Sequence, residues 1–182
     1  MNTLTGKNVI VGISGSIAAY KACEIVRLLV KEGANVDCIM TQNACNFIRP
    51  LTLETLSRNK VHIEMFEQKK VWNIEHIGLA QKADLFLIAP ATADTISRLA
   101  AGRSSDLLTS TALSTTAKII ICPAMNTNMY NHKATQKNIE ALKSYGYEFI
   151  SPESGELACG QVGDGRLCAP SAIVSHVKKC LS

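Results

Sequence analysis

Long apolar runs, a strong net charge and a high aromatic content are all absent from this sequence of 182 residues. Its longest apolar stretches, such as 85–90, are far shorter than the roughly 18 residues needed to cross a bilayer. The net charge is only +4 and the basic residues form no run, which argues against nucleic acid or an anionic membrane as a partner. With 47% hydrophobic, 19% charged and 5% aromatic residues, the composition is typical of a globular α/β protein, and a small anionic ligand fits it best.

The sequence also leads us to expect neither a signal peptide nor a disulfide framework. The apolar run after Lys7 has five residues and ends at Ser14 and Gly15, which is too short for the hydrophobic region of a signal peptide, so we expect a cytoplasmic protein. The number of cysteines is odd, no two form a C-x-x-C pair, and several lie in apolar runs where a thiol acts as a small hydrophobe. We therefore expect neither disulfides nor a zinc site among Cys23, Cys38, Cys45, Cys122, Cys159, Cys168 and Cys180.

Strands and helices are predicted to alternate along the chain. Domains hold roughly 100 to 200 residues, so the length predicts a single domain over residues 1–182. Apolar runs rich in β-branched residues predict strands at 7–13, 35–41, 84–89 and 118–122, with a weaker one at 147–150. Helical spacing and stop signals predict helices at 18–32, 74–82, 93–101, 105–114, 131–145 and 171–180.

The run at 118–122 has almost no polar interruption, as strands buried on both faces require, and the alternation with helices favours a parallel sheet. The predicted fold class is therefore α/β, a doubly wound Rossmann-like or flavodoxin-like sheet. The segment 151–169 breaks the pattern because it contains four glycines and is far longer than the roughly 4 to 6 residues of most loops. We expect it to be a lid or flap that clamps a substrate, or else disordered.

Ligands of open α/β sheets bind at the carboxyl ends of the strands, where this chain presents small or hydroxylated residues. Hydroxyl groups and the unpaired N–H groups at helix starts suit a phosphate. The first turn does not match G-x-G-x-x-G, and Asp37 comes too early in the second strand to contact a ribose, so a mononucleotide such as FMN is favoured over a dinucleotide. A turn of small residues after a strand is equally typical of a simple turn.

Three further residues are candidates for catalysis, each with a simpler alternative. Ile74, Ile77 and Leu79 predict a core-facing stripe that excludes His76, which favours a surface position for the histidine. Asn126 could orient a ligand carboxylate with its amide or cap the following turn. Cys159 lies in the glycine-rich segment and could donate a proton, although thiols in loops are usually inert. Cap or turn roles are predicted for Asn43, Asp84 and Asp106, and no chemistry for His62, His132 and His176.

Five motifs in this order resemble the family of homo-oligomeric flavin-containing cysteine decarboxylases. They are SGSIAAYK at 14–21, a histidine before I-x-L-x-x-x-A-D at 76–84, PATADTI at 90–96, PAMNTNMY at 123–130 and ACGQVGDGR at 158–166. Tyr130 stands where the family usually has Trp, with Asn126 and Met129 in place. The resemblance covers residues 6–174.

The resemblance implies an FMN cofactor and assigns roles to individual residues. It implies that His76 is the active-site base, that Asn126 grips the substrate carboxylate, and that Cys159 is the proton donor. The implied substrate-binding residues are Ala124, Met125, Asn126 and Met129, and no metal is implied. The implied FMN-binding residues are Ser14, Gly15, Ser16, Ile17, Thr41, Phe47, Thr92, Ala93, Asp94, Thr95, Ser104, Ser105 and Asp106.

The implied reaction is FMN-dependent decarboxylation of 4'-phosphopantothenoylcysteine to 4'-phosphopantetheine and CO2 in coenzyme A biosynthesis, through thioaldehyde and enethiolate intermediates. Peptidyl-cysteine decarboxylases of lantibiotic biosynthesis resemble the chain in fold, His and Asn. They lack the flap cysteine and usually carry Asn at the position of Ala124, so Cys159 and Ala124 favour the coenzyme A branch. A non-catalytic regulatory flavoprotein is a third interpretation, which the retained His76, Asn126 and Cys159 disfavour.

The resemblance also concerns assembly and partners. It implies a homo-oligomer, a trimer or a dodecamer, in which a neighbouring subunit completes the FMN site. It further implies a phosphopantothenoylcysteine synthetase that is either fused to this domain or separate.

Overall fold

A six-stranded parallel sheet forms the centre of the protein. The structure, a computed structural model, describes residues 3–65, 75–158 and 160–182. The strands are β1 (Asn8–Ile13), β2 (Asn35–Met40), β3 (Val61–His62), β4 (Leu85–Ala91), β5 (Lys118–Pro123) and β6 (Glu148–Phe149). Their spatial order is β3-β2-β1-β4-β5-β6, and every neighbouring pair is parallel. This order belongs to the doubly wound α/β folds, which confirms the predicted fold class.

Helices cover both faces of the sheet. One face carries α1 (Ala19–Lys31), α2 (Pro50–Ser57) and α8 (Pro170–Leu181), and the other carries α3 (Glu75–Lys82), α4 (Ala93–Ala100), α5 (Leu107–Ser114) and α7 (Lys133–Ser144). A separate hydrophobic core lies between the sheet and the helices on each face. Successive strand residues point to opposite faces, so Val9 and Val11 pack in the core beneath α1, and Ile10 packs in the core beneath α5. The helices found within the described residues are each too short, or not apolar enough, to cross a membrane.

Several elements differ from the sequence prediction. The strand β3 and the helix α2 were not predicted, since two residues and eight residues give too weak a periodic signal. The helix predicted at 131–145 is divided at His132, whose ring Nδ1 accepts a hydrogen bond from the N–H of Ala134 at 3.2 Å. A short helix, α6 (Thr127–Asn131), therefore precedes α7.

The prediction that Ile77 faces the core and His76 the surface was wrong. Leu79 is buried as predicted, but Ile77 is 38% exposed, and Ile74 lies outside the described residues. Successive residues of a helix are about 100° apart. Ile77 is two residues before Leu79 and therefore lies nearly opposite it, whereas His76 is three residues before Leu79 and lies on the same side of the helix. His76 is half-buried, and its ring Nδ1 is fully buried with no hydrogen-bond partner among the described residues.

The glycine-rich segment forms a second, smaller sheet. Strands β7 (Glu153–Glu156) and β8 (Val162–Arg166) pair antiparallel in a hairpin over the carboxyl edge of the main sheet. We call this hairpin, with its turn, the flap. The predicted flap is therefore a hairpin with ordered pairing, and the alternative of a disordered segment is wrong for the residues described.

Candidate functional site

A crevice opens between the carboxyl ends of β1 and β4. The chain leaves β1 toward β2 and returns on the other side of β1 as β4, so the helices that follow these two strands diverge. The buried hydroxyl of Ser14 donates to the carbonyl oxygen of Pro90 at 2.7 Å and accepts from the N–H of Thr92 at 3.0 Å. Two of the predicted cofactor segments are thereby joined, and the Ser14 hydroxyl acts as their link.

The turn after β1 also touches the segment after β2. A Cβ atom added at Gly15 would lie 2.5 Å from the Cβ of Asn43, so only glycine allows this approach. The buried Thr41 begins the same segment, and its hydroxyl accepts from the N–H of Ala44 at 3.2 Å. The predicted residue Phe47 follows with its ring 47% exposed. Three predicted cofactor segments thus meet at one edge of the sheet.

Two helices begin beside the crevice, and each has a capped N-terminus. The Thr92 hydroxyl accepts from the N–H of Thr95 at 3.2 Å at the start of α4. The Asp106 carboxylate accepts from the N–H of Thr109 at 2.8 Å at the start of α5, as its predicted cap role requires. Helix N-termini carry partial positive charge, which favours a bound phosphate.

Arg98 holds these two helix starts together, and the sequence analysis did not predict it. Its guanidinium pairs with Asp94 and, at 2.6 Å, with Asp106, and it donates to the Ser105 hydroxyl at 3.2 Å. Burial alone would lower the pKa of Arg98, but the two carboxylates raise it, so the cation is retained. Its Nε atom is buried and unpaired among the described residues, which leaves one donor available. The helical spacing of Asp94 and Arg98 was the only sequence signal for it.

A cavity of about 590 Å³ lies beneath the flap at this edge. It brings together residues from the first turn, from the end of β5 and from the flap. Predicted cofactor residues and predicted substrate residues therefore share one cavity. Its lining includes Ser16, Ile17, Lys21, Ala124, Met125, Asn126, Glu156, Leu157, Ala158 and Arg166.

Two glycines let the flap lie directly on the backbone after β5. The N–H of Met125 donates to the carbonyl oxygen of Gly165 at 3.0 Å. A Cβ atom at Gly165 would lie 2.2 Å from the Met125 carbonyl oxygen, and one at Gly163 would lie 2.7 Å from the Thr127 hydroxyl. Any larger residue at either position would push the flap away from the cavity.

Asn126 caps the turn that follows β5, which is one of its two predicted roles, and its role toward a ligand carboxylate stays a prediction. Its Oδ1 accepts from the N–H of Asn128 at 2.8 Å and so caps α6. Its Nδ2 donates to the Gln161 side chain at 2.8 Å, which links the end of β5 to the flap. Met129, the other predicted substrate residue in α6, is 49% exposed and is absent from the described cavity lining.

Two cations face the cavity, and the sequence analysis assigned neither a role. Lys21 lies in the first turn of α1 and donates to the Leu167 carbonyl oxygen at 3.0 Å, with Arg166 nearby in β8. Burial lowers the pKa of the Lys21 ammonium, and the positive charge of Arg166 lowers it further. A bound anion would relieve that repulsion. A lysine one turn into a helix that begins at the ligand edge was the available signal.

The remaining predicted catalytic residues lie outside this cavity or outside the described residues. His76 is on α3, which packs against α5, and it is not among the cavity residues that the structure describes. Cys159 lies outside the described residues, and its predecessor Ala158 lines the cavity. The roles of both residues stay predictions.

Comparison with known protein families shows which family has this arrangement of residues. The Flavoprotein family model matches residues 1–182. The chain belongs to the flavoprotein family. A flavin cofactor fits the hydroxyl-rich crevice, the close approach at Gly15 and the unpaired Arg98 Nε described above.

Individual relatives of this flavoprotein fall into two classes of length. It is 48% identical over 176 residues to the coenzyme A biosynthesis bifunctional protein CoaBC of Bacillus subtilis, which covers 97% of this chain and 43% of the relative. It is 44% identical over 177 residues to a probable phosphopantothenoylcysteine decarboxylase of Streptococcus mutans, which covers 96% of this chain and 99% of the relative. The chain thus spans less than half of the bifunctional relative.

Solved structures share the fold closely. A PPC decarboxylase variant complexed with pantothenoylaminoethenethiol superposes with a TM-score of 0.85 at 29% identity, covering 95% of this chain and 97% of that one. The FMN-binding protein AtHal3 superposes with a TM-score of 0.82 at 30% identity, covering 95% of each chain.

Proposed function

We propose that this flavoprotein decarboxylates 4'-phosphopantothenoylcysteine to 4'-phosphopantetheine and CO2, with FMN as its flavin. One observation carries the proposal: residues predicted for the cofactor and for the substrate line the same cavity beneath the flap. Relatives whose names give this activity, or coenzyme A biosynthesis, support it.

Several contacts favour a mononucleotide over a dinucleotide. Asp37 is buried in the first half of β2, and its carboxylate pairs with Lys82 at 2.7 Å. It therefore does not reach the carboxyl edge of the sheet, where it would have to bind the ribose of a dinucleotide. The hydroxyls and helix starts at 92–95 and 104–106 suit one phosphate. The Arg98 Nε supplies a further donor there.

The substrate is anionic at both ends, and the cavity offers groups for each. Lys21 and Arg166 provide positive charge for a phosphate or carboxylate. The Asn126 side-chain amide lines the cavity and donates to the Gln161 side chain at 2.8 Å, and we assign this amide to hold the carboxylate that is lost as CO2.

Proton transfers are assigned to two residues. The His76 imidazole takes the proton of the substrate thiol, and Cys159 delivers a proton to the substrate carbon after CO2 has left. FMN, when bound, would accept a hydride before CO2 is lost and return it afterwards, so that the reaction has no net change of oxidation state. The flap shields the cavity from water while the enethiolate is present.

We further propose a homo-oligomer in which a neighbouring subunit completes the site. Within one chain His76 is not among the described cavity residues, whereas Asn126 is. A neighbouring α3 would bring a histidine to the cavity and cover the exposed Ile17 and Tyr20 beside it.

The direct test is incubation of the purified protein with phosphopantothenoylcysteine, followed by mass analysis of the product. We expect yellow protein and conversion to phosphopantetheine. Protein that binds FMN and leaves this substrate unchanged would contradict the proposal.

The competing activity is decarboxylation of a peptide with a C-terminal cysteine, which stops at the enethiol. Cys159→Ser separates the two. In the proposed reaction this variant releases CO2 and accumulates the enethiol, whereas the wild type does not. A wild type that itself stops at an enethiol would favour the peptidyl branch.

A further inference from the structure

A second cluster of reactive side chains lies at the opposite edge of the sheet. The ligand atoms of Glu148, His176 and Cys180 all lie within 4.8 Å of one another. Glu148 begins β6, and the other two residues are on α8. Lys118, which contacts the cluster, begins β5, so about 16 Å of strand separate it from the cavity end at Pro123.

The three side chains are of the classes that Zn²⁺ binds: a thiolate, an imidazole and a carboxylate. His176 and Cys180 are four residues apart on one helix, so they lie on the same face one turn apart. Ligands of tetrahedral zinc are about 3.5 Å apart, so the hydrogen-bonded His176 and Glu148 would have to separate slightly, while the Cys180 Sγ, 3.9 Å from the Glu148 Oε2, already lies near that spacing. The three protein ligands leave a fourth position for water.

A cation already occupies this position in the protein. The Lys118 ammonium lies 3.0 Å from the Glu148 Oε2 and 3.6 Å from the Cys180 Sγ. The Lys118 side chain is 49% exposed, so it can move to solvent when a stronger cation arrives. His176 hydrogen-bonds Glu148 directly, and a metal would replace the proton shared between them.

We propose that Glu148, His176 and Cys180 form a binding site for a divalent transition-metal ion of the zinc class, which displaces the Lys118 ammonium. No zinc site was predicted from the sequence, because no two cysteines form a C-x-x-C pair and several lie in apolar runs. The third ligand comes from β6, which only the fold brings to α8.

The test uses the FMN-loaded protein after removal of bound metal with a chelator. Zn²⁺ is added, bound metal is measured by equilibrium dialysis, and each cysteine is alkylated and quantified by peptide mass spectrometry. We expect one zinc per chain and alkylation of Cys180 slowed about tenfold or more. Cys23 and Cys168, which are half-buried outside the cluster, serve as internal controls with unchanged rates.

Two variants separate a metal site from an ion-pair network. His176→Gln should weaken zinc binding by about 10- to 100-fold. Lys118→Ala should strengthen zinc binding several-fold, because no ammonium then competes with the metal. If Lys118 instead stabilised the metal site, this variant would weaken zinc binding. Retained FMN and an unchanged circular dichroism spectrum check the fold of both variants.

Magnesium provides the control on the class of metal. Mg²⁺ prefers oxygen ligands and should not protect Cys180 or displace zinc. Zinc binding that His176→Gln leaves unchanged, equal protection of all three cysteines, or no protection at all would each overturn the proposal.

Discussion

At the scale of single residues, the charge of Lys21 is the feature most directly tied to substrate choice. Its ammonium is half-buried, its pKa is lowered by burial and then by Arg166, and both cations face the cavity. Burial and Arg166 together disfavour the Lys21 cation more than the nearby Glu153 favours it, and an anionic ligand would offset the remaining cost. The phosphate or the carboxylate of the proposed substrate would supply this negative charge.

We expect Lys21→Met to lower kcat/KM by about 10- to 100-fold, mainly through KM, because one charge-assisted hydrogen bond is lost. Steady-state kinetics with the phosphorylated substrate measure this. Lys31→Met is the matched control, since Lys31 is exposed in the last turn of the same helix and should change neither constant. Equal kinetics for both variants would remove Lys21 from substrate binding.

At the scale of elements, a chain of charges ties α3 to the edge of the sheet. His62 on β3 pairs with Glu75 at the start of α3, and its Nε2 lies 3.8 Å from Asp37 on β2. Lys82 at the end of α3 pairs with Asp37 at 2.7 Å. Both ends of the helix that carries His76 are therefore held by ion pairs.

Protonation of His62 should stabilise this arrangement. Burial alone would lower the pKa of His62, but its hydrogen bonds to Asp37 and Glu75 raise it above the usual range. A raised folded-state pKa means that the stabilisation is complete below the unfolded value of about 6.5 and disappears as the pH rises through the folded value. A double-mutant cycle consists of His62→Gln, Glu75→Gln and the variant that carries both changes. It should give a His62–Glu75 coupling energy of about 1 kcal/mol near pH 6.

Urea unfolding of this cycle at several pH values measures the coupling. The His62–Glu75 coupling energy should shrink steadily from pH 6 toward pH 9.

The pKa of Asp37 is lowered: burial would raise it, but its contacts with His62 and Lys82 outweigh that. Its contribution is therefore lost only in acid, as the pH falls below about 4. A His62–Glu75 coupling energy that grows with pH would contradict the stabilising role of protonated His62.

The flap is the second element with a testable dependence on one residue. Gly165 has a φ of +136° and lies against the Met125 carbonyl, so Gly165→Ala should lift the flap. We expect kcat/KM to fall by at least about tenfold and limited proteolysis within 151–169 to become faster, with FMN retained. In the control Gly146→Ala the glycine also has positive φ, at +92°, but nothing lies within 4 Å, so activity should be kept.

At the scale of the whole molecule, the proposed oligomer predicts complementation between inactive subunits. His76→Asn and Asn126→Asp should each abolish turnover. If the two residues of one site come from different subunits, mixed oligomers should recover up to about one quarter of wild-type activity after random equal mixing. Dissociation, mixing and reassembly followed by a turnover assay tests this.

The mixture is compared with each variant carried separately through the same treatment. A mixture that stays as inactive as its components would mean that one chain supplies both residues.

Local sequence pattern was enough to predict the alternation of strands and helices and the chemical character of the strand ends. Buried parallel strands need continuous apolar runs, so 84–89 and 118–122 were predictable from local pattern. The glycines at the first turn and in the flap were visible as unusual residues. The order of five motifs then indicated a flavin and a cysteine carboxylate, and the Flavoprotein match confirmed the family.

Which of these residues come into contact depends on the folded chain and could not be predicted from local pattern. The cavity joins 16–17, 124–126 and 156–158, which are distant in the chain, and hydrogen bonds at Ser14 and Gly165 fix their contact. The contacts of Arg98 and the cations at Lys21 and Arg166 depend on helix directions and on the docking of the flap. Such contacts between distant residues leave no local pattern in the sequence, since they arise from the winding of helices around the sheet.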